Sequence, residues 1–320
     1  MAPMIKASTE APSDFNTKIK ANASLLKSEI IGNSFIFLFA GHETTANSMH
    51  FSFILLAIHL ASQARLQADI EKIVGNKPTS ELSYYTDMPR LYNSMVGAVM
   101  NEQLRLMPAI LNVPKITNGD QMVTVDGREF PVADGTFIQL NVIGTHRNPR
   151  YWPHSPSKIT AKSHDLDDFV PERWLTSNNP VQDEKAQTIE DQEEAGGEAS
   201  YDAAGGSLFH PIKNSFIAFS EGLRACPGRR FAQVEITAVL TAIFQKYSVE
   251  LDVSDWASDE EVARMGPAKK KAIYQKAALR ADSILKRCMQ LTITLQMQPG
   301  DTVPIRFVER GKERFAGLMD

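Results

Sequence analysis

The sequence predicts a mainly α-helical fold with small β-sheets, an α+β arrangement. Three observations carry that expectation: a long, densely apolar run from Leu25 to Ala61, amphipathic segments with helical periodicity on both sides of the chain's middle, and short apolar stretches cut by Asp-Gly turns. With 320 residues the chain exceeds one average domain of about 150 residues, so core size is not limiting. Hydrophobic residues make up 43% and charged residues 22%, and the net charge is −4. This is an ordinary globular profile, which excludes global disorder and a basic nucleic-acid binder. Two cysteines, Cys226 and Cys288, cannot build a disulfide framework and point to a reducing compartment.

Residues 1–24 form a polar leader, expected to be disordered, without the apolar stretch of a signal peptide. The run from Ile30 to Ala61 is long enough to span a bilayer, but His42, Glu43, Thr44 and Thr45 sit at its middle, where charge is costly in lipid. It reads as a helix apolar nearly all round, buried on most sides of a soluble core, so no membrane anchor is expected in this chain. Gln63 to Val74 follows as an amphipathic helix ended by Gly75. Asp87 and Pro89 start a helix whose pattern runs from Leu91 to Leu106, before Pro108 stops it.

Met122–Val125, Phe130–Val132 and Thr136–Val142, separated by Asp126-Gly127 and Asp134-Gly135, predict a small hairpin sheet. Pro-rich irregular chain covers Asn148 to Trp174. The segment of about 182–207 holds eight acidic residues, one lysine and four glycines with no periodicity, and reads as a mobile acidic surface loop. Phe231–Tyr247 predicts an apolar helix and Lys269–Lys286 a charged amphipathic one. Leu291–Met297 and Val303–Val308 predict a closing hairpin around Pro299-Gly300.

The most informative stretch is Phe219-Ser-Glu-Gly222-Leu-Arg224-Ala-Cys226-Pro-Gly228. Cys226 lies where a loop feeds a helix, so unpaired backbone N–H groups and the helix dipole favour negative charge on its sulfur, and Arg224, Arg229 and Arg230 add to that field. Such a sulfur is a candidate nucleophile or soft metal ligand. Flanking glycines permit a sharp turn and the close approach of something flat, and Phe219 can shield the sulfur from water. A phosphate-cradling loop needs four residues between its glycines and then Lys-Ser or Lys-Thr; here five residues precede Arg-Arg. Zinc needs several ligands at short intervals, and Cys-x-x-Cys and His-Glu-x-x-His are both absent. A cysteine hydrolase stays open on the residues alone, since seven histidines could serve as its base.

The stretch resembles the haem-binding signature of the cytochrome P-450 superfamily, Phe-x-x-Gly-x-Arg-x-Cys-x-Gly, at every fixed position. The resemblance implies haem b as cofactor, with Cys226 as the axial thiolate of its iron and Arg224 on a propionate. Phe219, Gly222 and Gly228 would complete the cofactor loop. Lys115 stands where many members carry a propionate-binding arginine, and lysine keeps the charge but loses the planar fork. Glu102 and Arg105, three apart on one helix face, are similar to the family's Glu-x-x-Arg pair, and Arg173 in Phe169-Val-Pro-Glu-Arg-Trp174 matches its third member; in the family this triad is structural.

Ala40-Gly41-His42-Glu43-Thr44-Thr45 resembles the family's acid-alcohol segment. Glu43 and Thr44 would then relay, with ordered water, the protons that oxygen activation consumes. Gly41 and a back-bonded Thr44 would bend the helix to admit that water. His42 reads as a neighbour, not a ligand, and Cys288 as structural. The resemblance also places Ile36, Phe39 and Ala40 in the distal pocket, Ile110 and Leu111 along its wall, and Met297 and Gln298 at the tip of a closing hairpin. An apolar wall suits a lipophilic small molecule.

By this resemblance, residues 25–320 are a truncated haem-binding domain, the carboxyl-terminal portion of the cytochrome P-450 fold with its amino-terminal helices and strands missing. The implied activity is that of a monooxygenase fed with electrons from NADPH by a separate reductase, of fungal microsomal type and acting in specialised metabolism on substrates such as terpenoids or polyketides. Its location would be the endoplasmic reticulum membrane if a missing anchor exists, and the cytoplasm for the chain as written. Two other readings remain: a non-catalytic fragment, and a haem-thiolate isomerase or dehydratase, against which retention of Glu43 and Thr44 argues.

Overall fold

The computed structural model describes residues 25–175 and 208–318, so the polar leader and the acidic loop of about 182–207 lie outside the described residues. The chain divides into two units, Met1–Ala46 and Asn47–Asp320. Helices dominate the described residues and the strands form only two-stranded antiparallel sheets, as the composition of the segments demands.

The apolar run is one helix, α1 (Lys27–Ile58), with no break at Gly41. Thr44 does bond back, its Oγ1 donating to the Ala40 carbonyl at 2.7 Å, yet the backbone stays helical through Gly41. Burial on most sides does not hold for its first half: Ile36 is 58% and Phe39 49% exposed, and Ala40 is exposed too. The described part of the first unit is this single helix, and a helix apolar all round cannot bury its own surface. From Phe51 onward the same helix is core, with Phe51, Ile54 and Leu56 fully buried. No helix among the described residues is long and apolar enough to cross a membrane.

In the second unit α2 (Leu60–Val74) is amphipathic and ends at Gly75, whose φ of 54° only glycine adopts readily. The helix expected from Asp87 to Leu106 is two, α3 (Asp87–Tyr92) and α4 (Met95–Leu106), the second capped by the Ser94 hydroxyl. Gly97 permits the break: a Cβ there would meet the Tyr92 carbonyl oxygen at 1.8 Å. α4 is buried all round and forms the axis of the core, with Val96, Val99 and Met100 at zero exposure.

The expected single hairpin sheet separates into two. β2 (Gln121–Val125) and β3 (Arg128–Val132) pair around Asp126-Gly127, whose φ values of 47° and 76° are those of a type I′ turn. β4 (Phe137–Asn141) instead pairs with β1 (Asn112–Ile116), a strand hidden in the sequence by its internal Pro114. Asn141 then caps α5 (Val142–His146). Late in the chain come α6 (Arg229–Phe244), β5 (Tyr247–Leu251), α7 (Asp259–Arg264) and α8 (Pro267–Arg287). The closing hairpin is also re-paired. β6 (Met289–Leu291) joins β7 (Leu295–Met297), turning at Thr292–Thr294, whereas β8 (Ile305–Glu309) joins β5. Met297 and Gln298 therefore stand at the open end of the hairpin and not at its tip.

Candidate functional site: the cysteine loop

The loop that carries Cys226 is shaped by its own backbone. The Cys226 N–H donates to the Phe219 carbonyl at 2.8 Å, and the Ala225 N–H donates to Gly222 at 2.9 Å. These bonds close a short 3-10 turn over Gly222–Arg224. Gly222 has φ +74°, and Ser220 holds +60°, a region that a non-glycine residue seldom occupies. Gly228 caps α6, and the Arg229 N–H reaches back to the Cys226 carbonyl at 3.3 Å. Cys226 thus sits two residues before the cap of a 16-residue helix, with its thiol exposed.

Phe219 packs against the core and carries the Arg229 guanidinium at 5.8 Å from its ring centre. Arg230 lies over the Tyr84 ring and donates to its hydroxyl at 3.1 Å. These two arginines are engaged by aromatic rings, while Arg224 is exposed on the turn. Lys115, on β1, shares a cavity of about 570 Å³ with Ile217, Ser220 and Glu221 of the cysteine loop. One cation and the loop are therefore brought to one opening.

The residues fit a flat, apolar, iron-bearing group. Nothing lies within 4 Å of where a Cβ on Gly222 would stand, and one on Gly228 would meet the Cys226 sulfur at 3.7 Å, so a side chain at 228 would stand against the sulfur. Leu223 is wholly exposed and Phe231 is 70% exposed, an apolar margin on both sides of the cysteine in the chain. Among the described residues no three His, Cys, Asp or Glu side chains cluster to hold a metal ion.

Behind the loop lies a fully formed ion network. Arg105 grips Glu102 with two bonds, Nε to Oε2 and Nη2 to Oε1, each 2.8 Å, and Arg173 Nε donates to Oε1 at 3.0 Å. The Val170 amide and the Trp174 indole N–H complete the carboxylate's partners at 3.0 and 2.8 Å. Burial alone would raise the Glu102 pKa, but the two guanidinium groups outweigh it and hold the carboxyl well below its usual range. Sequence reasoning found the triad and missed Trp174, Val170 and His146, which only the tertiary fold brings to it.

The remaining expected residues are scattered. Leu111 packs on the core and its carbonyl accepts the Val142 N–H at 3.0 Å, and Ile110 is half-buried beside it. The Leu295 N–H donates to the Ala109 carbonyl at 2.8 Å, which ties the β6–β7 turn to the Pro108–Leu111 loop. Ile293, at that turn and 61% exposed, takes the place expected for Met297 and Gln298, of which Met297 packs on the core and Gln298 is exposed. The sequence signal for the true tip was Thr292-Ile-Thr294, too short and too β-branched to read as a turn. Ile36, Phe39, Ala40, Glu43 and Thr44 belong to the first unit and Cys226 to the second.

Comparison with known proteins supplies the decisive observation: the cytochrome P-450 family profile matches residues 4–274. The chain belongs to the cytochrome P-450 family. A cytochrome P-450 monooxygenase of Arthrobotrys oligospora is 32% identical over 251 residues, covering 77% of this chain and 39% of that protein. One of Postia placenta is 31% identical, covering 72% of this chain and 36% of that protein. Cytochrome P-450 3A13 of Mus musculus is 28% identical over 74% of this chain and 37% of its own length. The chain thus spans less than two-fifths of these relatives. Among solved structures, the haem domain of a cytochrome P-450 superposes with a TM-score of 0.58 at 19% identity, covering 94% of this chain and 48% of that one. At that identity the likeness is one of cytochrome P-450 fold.

Proposed function

We propose that this cytochrome P-450 chain is the haem-binding part of a haem-thiolate monooxygenase. The observation that carries the reading is the exposed Cys226 thiol, held by a glycine-shaped loop just before α6 in the family's signature. Haem, when bound, supplies reductive activation of dioxygen: two electrons and two protons are consumed, one oxygen atom enters the substrate and the other leaves as water.

The chain's residues support that chemistry in distinct ways. Cys226 Sγ would hold the iron, from a position two residues before the cap of α6. Phe219, packed on the core with the Arg229 guanidinium over its ring, carries the carbonyl that accepts the Cys226 N–H. Arg224 is assigned to a haem propionate, and Lys115 stands where many members place an arginine on a propionate, a point charge where a guanidinium would give a fork. Glu43 and Thr44 are assigned proton delivery by their place in the family's pattern, the Thr44 hydroxyl being anchored on the Ala40 carbonyl. Electrons come from NADPH through a separate reductase. A lipophilic small molecule is the substrate class that the family resemblance implies, and monooxygenases of fungi stand among the relatives.

The test is the reduced carbon monoxide difference spectrum of the chain supplied with haem. A thiolate-type Soret band that disappears in Cys226→Ala is expected. No such band, or its survival in the variant, contradicts the reading.

A further inference from the structure

His146 is fully buried at the end of α5 and takes no part in the proposed chemistry. Its two ring nitrogens meet two backbone groups of opposite character. Nδ1 lies 3.1 Å from the Arg105 carbonyl, which can only accept, and Nε2 lies 2.9 Å from the Ile217 N–H, which can only donate. The partners therefore fix one neutral tautomer, with the proton on Nδ1. Burial reinforces it by pushing the imidazole pKa down to about 4. The ring stacks on Phe216 at 5.0 Å and stands edge-on to Trp152 at 6.3 Å, so its rotation is blocked.

Each partner leads somewhere. Arg105 is bonded to Glu102 in the ion network, and it returns the contact by donating Nη1 to the His146 carbonyl at 3.1 Å. Ile217 is the root of the cysteine loop: its carbonyl accepts the Ser220 N–H at 3.0 Å, and two residues later the Phe219 carbonyl accepts the Cys226 N–H at 2.8 Å. We propose that His146 is a positioning residue for Cys226, a neutral strut that transmits the rigidity of the Glu102–Arg105 network to the root of the cysteine loop through the Ile217 amide. The idea rests on Cys226 as the iron ligand. Its physical content is that the loop, otherwise held by its own turn bonds and bearing Ser220 at positive φ, has an external anchor at this amide.

The test uses three variants of the same chain. In His146→Gln the side-chain amide oxygen takes the place of Nε2 and keeps the Ile217 bond; in His146→Asn the shorter amide keeps only the Arg105 bond; His146→Phe keeps the ring and neither bond. Hydrogen exchange at the Ile217 amide is expected to rise about tenfold or more in Asn and Phe and to stay near wild type in Gln. The fraction of haem-bound protein showing the thiolate-type band should follow the same order, with Gln close to wild type and Asn and Phe depleted. A purely packing role would instead favour Phe. The proposal is overturned if Ile217 exchange is alike in all three, or if the band is equally retained while exchange differs. If wild type itself gives no thiolate band, the iron assignment fails, and with it the positioning of an iron ligand, whatever the exchange order shows about the tether.

Discussion

Glu102 shows most sharply what one side chain does for this molecule. It is fully buried and accepts from Arg105, Arg173, the Val170 amide and the Trp174 indole. Replacing it with Gln would leave the buried Arg105 guanidinium without its counter-charge and Arg173 with Asp165 alone, at a cost of about 3–5 kcal/mol. Chemical denaturation of Glu102→Gln should show a loss of that size, and a loss below about 1 kcal/mol would mean the network is not the frame of the core. The pair Glu102–Arg105 was legible through the family resemblance, since helical spacing places it on one face without showing that it is buried. His146 was not, because its partners are 41 residues before it and 71 after it.

Among the elements, the junction of α3 and α4 is the most demanding. Gly97 lies so near the Tyr92 carbonyl that a methyl group would have to displace backbone. Gly to Ala inside a helix ordinarily stabilises by about 1 kcal/mol, so Gly97→Ala tests the close approach by its sign. We expect destabilisation of about 2 kcal/mol or more, read as a lowered denaturation midpoint. Unchanged or raised stability would show that the two helices separate without strain. The helices α2, α6 and α8 were legible from apolar period, while the short α5 and α7 were not read and strand partners were not legible. β1 and β5 carry no turn signal of their own, and period-2 alternation says nothing about which strand lies alongside. The re-pairing of β4 with β1 and of β8 with β5 followed from contacts distant in the sequence.

For the molecule as a whole, the first unit and the cysteine loop illustrate opposite kinds of legibility. The apolar surface of α1 from Phe35 to Phe39 is exposed, because apolar composition reports what a helix is able to cover, not what stands beside it. The cysteine loop was read as a glycine-permitted turn entering a helix, since its requirements are local: positive φ at Gly222, a cap at Gly228 and a backbone bond from Cys226 to Phe219; the expected shielding of the sulfur by Phe219 is not seen, the thiol being exposed. Family membership and fold follow from the whole chain, whereas the proposed chemistry rests on one sulfur. X-ray absorption at the iron edge of the haem-supplied protein addresses that sulfur directly. One sulfur neighbour of iron is expected in the wild type and none in Cys226→Ser; iron surrounded only by nitrogen and oxygen, or a sulfur neighbour that persists in the variant, would contradict it.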